Sequence, residues 1–233
     1  MGVLAFVCAM PMELRPLRRK LGLERAAVGG ISVQSGSLGN RPVVALATGM
    51  GTTLATQATV RLLAATAIDH LLVFGITGAV DDDIAIGASV HPELVVDSET
   101  GAEHRPTRLG DVASHGTMWT TNRITRPDEL PALRARGVIS LDMETAAIAA
   151  CCERRGVPWS VHRAISDRAT DGSVDDEVFH LSHQDGTPNP RAVARYFLRH
   201  PQRIPGMVTM AKGAKLATER AADAAITAAR TLD

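Results

Sequence analysis

The chain has 233 residues, 45% of them hydrophobic and 21% charged, the composition of a folded globular protein and not of a disordered one. Its 25 Lys and Arg are matched by 25 Asp and Glu, so no whole-chain charge points to nucleic acid or anionic lipid as a partner. At this length one α/β domain spanning residues 1–233 is expected in preference to two small ones.

Residues 3–9 form a short apolar run that reads as a first strand. No basic segment precedes it and Pro11-Met12-Glu13 ends it, so it does not read as a signal peptide. No apolar run approaches the roughly 18 residues of a membrane span. Cys8, Cys151 and Cys152 all lie in apolar stretches, which excludes a disulfide framework and points to the cytoplasm. Residues 14–21 read as an amphipathic helix, 22–30 as a loop, and 31–37 and 42–47 as strands joined at Gly39-Asn40. The turn at residues 48–53 opens a helix that runs to Thr66. Gly49-Met50-Gly51 is not a dinucleotide fingerprint, because Leu54 stands where a third glycine is needed and Asp69 precedes a strand instead of ending one.

Residues 71–74 are a buried strand ending in a second small-residue turn, Gly75-Ile76-Thr77-Gly78-Ala79. Asp81-Asp82-Asp83 reads as a solvated loop in preference to a metal site. Strands are expected at 89–97 and 110–114, a polar β-rich segment at 115–124, and a helix at 126–135. In the stretch 139–172, Glu144 opens a helix apolar on nearly all sides, Gly156-Val157-Pro158 stops it, and 159–165 is a strand closed by Asp167. Residues 173–190 read as an irregular excursion. His180 and His183 have the spacing of two metal ligands but no acidic or cysteine partner, so surface histidines and no metal are expected. Helices follow at 191–199 and 207–231.

A helix and a strand that are apolar throughout imply elements covered on both sides, hence a three-layer α/β/α architecture around a mixed, largely parallel sheet. Ligands bind such sheets at the carboxyl ends of strands. Glu13, Glu144 and Asp167 each follow or flank such an end. Taken singly, each has an ordinary structural explanation as a helix-terminal acid. Together they can converge.

The segments FVCAMPMEL, ATGMG, FGITGAV, SLDMETAAIAACCERRGVPWSV and RAISDRATDG resemble the successive motifs of the nucleoside phosphorylase and nucleosidase superfamily, in its methylthioadenosine/S-adenosylhomocysteine nucleosidase branch. The DMExAAIA helix start followed by R-x-I-S-D is specific, whereas the glycine turns alone are weak. The resemblance covers residues 3–172 and implies a cofactor-free purine nucleoside N-ribohydrolase acting on a 5′-modified adenosine, with the nucleosidase commonly a homodimer. It implies that Asp167 protonates purine N7, that Glu144 grips the ribose hydroxyls with Met143 against the sugar, and that Glu13 activates water. It further implies a substrate-contacting set of Met10, Ile76, Thr77, Gly78, Trp119, Ser166 and Ala169. The family's base-stacking Phe is missing from HGTMWTTNRIT, where Trp119 or Ile124 stands in. Related phosphorylases hold phosphate with Arg and Ser near the Gly75 turn and an Arg after the first strand. Here Val73, Ile76 and the anionic Glu13 occupy those places, which favours water, while Arg15, Arg18 and Arg163 keep phosphorolysis as the alternative. Residues 185–206 resemble instead nucleosidases of hopanoid synthesis, which act on an adenosyl lipid. A catalytically silent nucleoside-binding protein is the competing class.

Overall fold

The structure, a computed structural model, describes residues 2–171, 181, 183, 185–187 and 189–232. Strand β1 (Val3–Cys8) leads into helix α1 (Pro11–Leu21), then β2 (Glu24–Val28), β3 (Ile31–Leu38), β4 (Arg41–Ala47), α2 (Thr52–Ala65) and β5 (Ile68–Ala79). Short strands β6 (Ser89–Val90), β7 (Leu94–Asp97), β8 (Glu103–His104) and β9 (Thr117–Thr120) precede α3 (Leu130–Ala135), β10 (Val138–Asp142), α4 (Thr145–Arg155) and β11 (Trp159–Arg168). The chain ends with α5 (Pro190–Arg199) and α6 (Ile204–Ala229). Among the described residues no helix is long and apolar enough to cross a membrane.

The strands form one mixed sheet, parallel where β1 joins β4 and β5, where β5 joins β11, and where β9 joins β7 and β10. Alternation along its central strands makes the three layers. Leu4, Phe6 and Cys8 of β1, with Leu72 and Phe74 of β5, pack against Leu17 of α1 and Ala222, Ala225 and Ala229 of α6. Ala5, Val7, Leu71 and Val73 point the other way, toward Ala55 and Leu62 of α2 and Ala146, Ala149 and Cys152 of α4. The small residues of α4 and α6 let both helices lie close to the strands, which is why these helices carry no wide polar face where they pack.

Five expectations are corrected. Residues 24–28, expected as a loop, form β2 against β3; as an edge strand it turns only Ala26 and Val28 to the core, too short an apolar alternation to read from sequence. Residues 75–79 do not turn. β5 runs through them, kinked where Gly75 takes φ +136°, because β11 stays paired to Ala79 and β10 takes over the edge that β1 leaves. The strand expected at 89–97 is split at Pro92, which cannot donate to a ladder, and residues 110–114 are exposed coil or turn except for half-buried Ser114. Asp167 lies inside β11 and not beyond it, since that strand continues to Arg168. Most of the excursion at 173–190, including His180, lies outside the described residues; His183 is exposed.

On the face of the sheet that α6 covers, Ser160 Oγ sits 3.0 Å from Nε2 of both His70 and His162, two buried histidines. The hydroxyl has one proton to give, so at least one ring donates its Nε2–H, and a ring that accepts from the hydroxyl must be neutral. Burial depresses both, His70 to about 4, helped by Arg41, and His162 to about 3, helped by His91 and His70. The unfolded chain takes up these protons near pH 6.5 and the folded chain not until far lower, so stability falls as pH drops below about 6.5. Between pH 7 and pH 5 thermal unfolding is expected to lose about 2 kcal/mol per histidine, roughly 2.303RT times the 1.5 pH units below 6.5. The loss is expected to shrink in His162→Gln; an unchanged pH profile in that variant contradicts the assignment.

Candidate active site

The sequence puts one cation, Arg163, in the middle of an apolar strand. A charge in such a place is tolerated only if it is paired and fully hydrogen-bonded. The structure supplies the partners: the Arg163 side chain is 2% exposed, and its Nη2 lies 2.7 Å from Asp142 Oδ2, itself 1% exposed, and 3.4 Å from Glu144 Oε2. Nη1 donates to the Ile76 carbonyl at 2.8 Å, and Nε and Nη2 donate to Thr145 Oγ1 at 3.2 and 3.0 Å. Burial works against the guanidinium's charge, but Asp142, Glu144, Glu13 and the Cys8 sulfur outweigh it, so its pKa rises and it stays charged.

Asp142 closes β10 and caps α4. Its Oδ2 accepts from the Thr145 amide at 2.8 Å, the Glu144 amide at 3.2 Å and Thr145 Oγ1 at 2.6 Å, while Oδ1 takes the Thr120 hydroxyl at 2.6 Å. Because Asp142 satisfies the helix start, Glu144 is released from the capping role that its position suggests. The Glu144 carboxylate turns away instead, accepting from the Gly51 amide at 2.9 Å. Burial, with repulsion from Asp142 and Glu13, raises its pKa to about 7 against the pull of Arg163 and Gly51. Glu13, wholly buried, accepts from the Met10 amide at 2.6 Å and from the Ile76 amide at 2.7 Å. Its pKa is likewise raised by burial, with Arg163 and the amides of Ile76 and Met10 opposing. A Cβ on Gly75 would lie 2.3 Å from Glu13 Oε1, so β5 admits this carboxylate only because residue 75 is glycine.

Asp167 is half-buried near the end of β11, with Ser166 Oγ donating to its Oδ1. Its Oδ2 lies 3.4 Å from where a Gly78 side chain would begin. Asp167, Gly78, Met143 and Ala169 line a cavity of about 160 Å³ together with Ile124 and Asp142. Trp119 does not line it. That ring lies under the Arg136 guanidinium, 4.4 Å from its centroid, and faces a neighbouring cavity of about 680 Å³. Of the two residues expected to replace the stacking Phe, the structure therefore brings Ile124, not Trp119, to Asp167.

The remaining expected residues lie outside the lining of that cavity. The Thr77 hydroxyl is buried and donates to the Leu141 carbonyl at 2.7 Å, and Ser166 is buried beside Asp167. Ile76 contributes its backbone, tying Glu13 to Arg163, while its side chain packs on Ala164, Ala217 and Ala221. Met10 caps α1 by its amide and packs against Gly186. Burial pushes the Cys8 thiol well up and Cys152 to about 12, so neither is a thiolate nucleophile near neutral pH. Asp81 pairs with Arg134 and Asp82 takes the Thr170 hydroxyl, as a solvated loop should. Among the described residues no cluster of His, Cys, Asp or Glu is arranged to hold a metal.

Asp142 escaped sequence reasoning. Its signal was available: an acid at the end of one buried strand and a lone arginine inside another require each other.

The sheet, the two carboxylates on one guanidinium and the acid at the end of β11 define a nucleoside phosphorylase-like enzyme fold. Residues 3–112 and 98–199 match the family described as the phosphorylase superfamily, and the chain belongs to that family. It is 27% identical over 227 residues to the 5′-methylthioadenosine/S-adenosylhomocysteine nucleosidase of Mycobacterium bovis, with 74% of this chain and 89% of that protein covered. Its fold is similar to the nucleosidase of the same name from Helicobacter pylori, with a TM-score of 0.74 at 16% identity over 98% of both chains. It is also similar to futalosine hydrolase of Helicobacter pylori, with a TM-score of 0.71 at 16% identity over 95% of this chain and 94% of that one.

Replacing Arg163 by Leu would leave Asp142, Glu144 and Glu13 buried around a neutral side chain. Thermal unfolding should then show a loss of about 3–5 kcal/mol, the typical cost of breaking a buried pair. A melting temperature equal to that of the unsubstituted protein contradicts the pairing.

Proposed function

We propose that the chain is a purine nucleoside N-ribohydrolase that uses water to cleave the N-glycosidic bond of a 5′-modified adenosine of the methylthioadenosine or S-adenosylhomocysteine type. The observation that carries the choice of water over phosphate is the state of the arginines. Arg163 is consumed by Asp142, Thr145, Ile76 and Glu144, and Arg15 and Arg18 are exposed on α1. A phosphate at Glu13 would meet a buried carboxylate, and the two arginines that line the Asp167 cavity are engaged elsewhere, Arg123 by Glu129 and Arg168 by the Ile84 carbonyl.

The chemistry follows from the carboxylates. Cleavage builds positive charge on the sugar, and Glu13 and Glu144, once ionised, are held away from bulk solvent, so their field acts at low dielectric. Glu144 receives the ribose hydroxyls. Glu13, fixed by two amide hydrogen bonds, takes a proton from the attacking water. Asp167, steadied by Ser166, gives its proton to the leaving base, with Met143, Ile124 and Ala169 forming the apolar sides of the cavity. The names of the relatives support this substrate class, and the family resemblance supports a cytoplasmic homodimer whose second copy closes the 5′ side.

The test is release of free base from methylthioadenosine, S-adenosylhomocysteine, adenosine and inosine, with and without phosphate. Release independent of phosphate is expected; turnover only with phosphate overturns the hydrolytic reading, and tight binding without product favours the silent binder. Asp167→Asn is expected to lower turnover about 10²–10⁴-fold with little change in melting temperature. The acidic limb of kcat/KM should lie near pH 7, because Glu144 must ionise to receive hydroxyls and does so at about 7. The same ionisation costs stability: the unfolded carboxylate ionises near 4.5, so the Glu144 contribution declines as pH rises from there to 7, against the histidine contribution. A limb below pH 5 removes Glu144 from the clamp.

A further inference from the structure

Whole-chain neutrality hides a segregation of charge. Residues 190–216 contain six basic residues, Arg191, Arg195, Arg199, Arg203, Lys212 and Lys215, and no Asp or Glu; the excess of acids lies in the rest of the chain. All six are exposed. Arg191, Arg195 and Arg199 recur every fourth residue, along one side of α5.

The same segment presents apolar side chains to solvent. Leu198 is 85% exposed, and Ile204, Val208 and Leu216 are 42%, 48% and 44% exposed. On α6 those three and Lys212 recur every fourth residue, one stripe down the helix. None of the described residues of α6 before Ala217 is buried, so its first 13 residues, about 20 Å of helix, keep one side open to solvent while Gly213 packs on β11. The two helices are nonetheless joined firmly. Tyr196 is buried with its ring 5.1 Å from that of His200, and its hydroxyl accepts from Arg203 Nη1 at 2.9 Å across the turn between them.

We propose that α5 and the first half of α6 form a peripheral docking surface for an anionic lipid bilayer, with Leu198, Ile204 and Val208 entering the headgroup region and the arginines and lysines meeting anionic headgroups. A basic amphipathic helix pair lying in the interface plane has this combination of features. A second copy of the chain fits less well, since a two-fold contact would set one arginine face against the other. Nucleic acid accounts for the charge but offers no apolar phase for Leu198. The surface adjoins the site: Gly213 of α6 lies against the Ser166 carbonyl, where a Cβ would approach to 2.7 Å, one residue from Asp167. Docking there holds the catalytic wall close to the bilayer.

The test is partition of the full chain onto vesicles of phosphatidylcholine alone and of phosphatidylcholine mixed with phosphatidylglycerol, at low and high salt. Binding to the mixed vesicles alone, weakened by salt, is expected. Two double variants, Leu198→Glu with Val208→Glu and Arg191→Glu with Arg195→Glu, should each weaken it roughly tenfold or more while far-UV circular dichroism and the melting temperature hold. Equal partition onto both vesicles, or none, overturns the proposal. So does full binding by the apolar variant, tighter binding of a single-stranded oligonucleotide than of mixed vesicles, or a dimer that the apolar variant converts to monomer with vesicle binding intact.

Discussion

A single buried cation governs the arrangement of this site. Arg163 leaves the middle of β11 with no route to solvent, and each of its nitrogens must find an acceptor inside the protein. Asp142 supplies the charge and at the same time caps α4, so one carboxylate satisfies both a guanidinium and the start of a helix. With that position filled, Glu144 is free to face the Gly51 amide, and Ile76, whose carbonyl Arg163 holds, presents its amide to Glu13. The two carboxylates proposed to act on sugar and water are thus placed by a group that touches neither reactant in that proposal.

Glycine makes the second constraint. Glu13 occupies the volume that a side chain at position 75 would take, and the Gly51 amide, at φ +91°, opens toward Glu144. In each case a backbone amide holds a desolvated carboxylate, joined at Glu144 by the Arg163 guanidinium. Such donors have no rotamers to lose and stay aimed before any ligand arrives, which is the preorganisation that electrostatic catalysis needs. Desolvation also raises the pKa of both carboxylates, that of Glu144 to about 7. The balance of burial against Arg163 therefore sets the pH at which the site becomes anionic.

Charge is distributed on two scales. Within the core, one guanidinium meets two carboxylates over less than 4 Å. On the surface, cations collect along α5 and the exposed half of α6, while the acids lie elsewhere. A mean over the whole chain reports neither.

Local pattern was enough to read the layers, the central strands, the apolar character of α4 and the three acids, because apolar periodicity and strand-end position are properties of short segments. The resemblance carried by the R-x-I-S-D and DMExAAIA motifs belongs to the same local level. What the segments could not state is which partner each polar group finds. The course of β5 through Gly75, the edge strand β2, the capping by Asp142 that releases Glu144, and the choice of Ile124 over Trp119 beside Asp167 all depend on contacts between residues far apart in the chain. Pairing of a strand, burial of a charge and the shape of a cavity are decided by what lies across the fold. Only tertiary structure brings Arg163 to Asp142 and Glu144, and with them the geometry of the site.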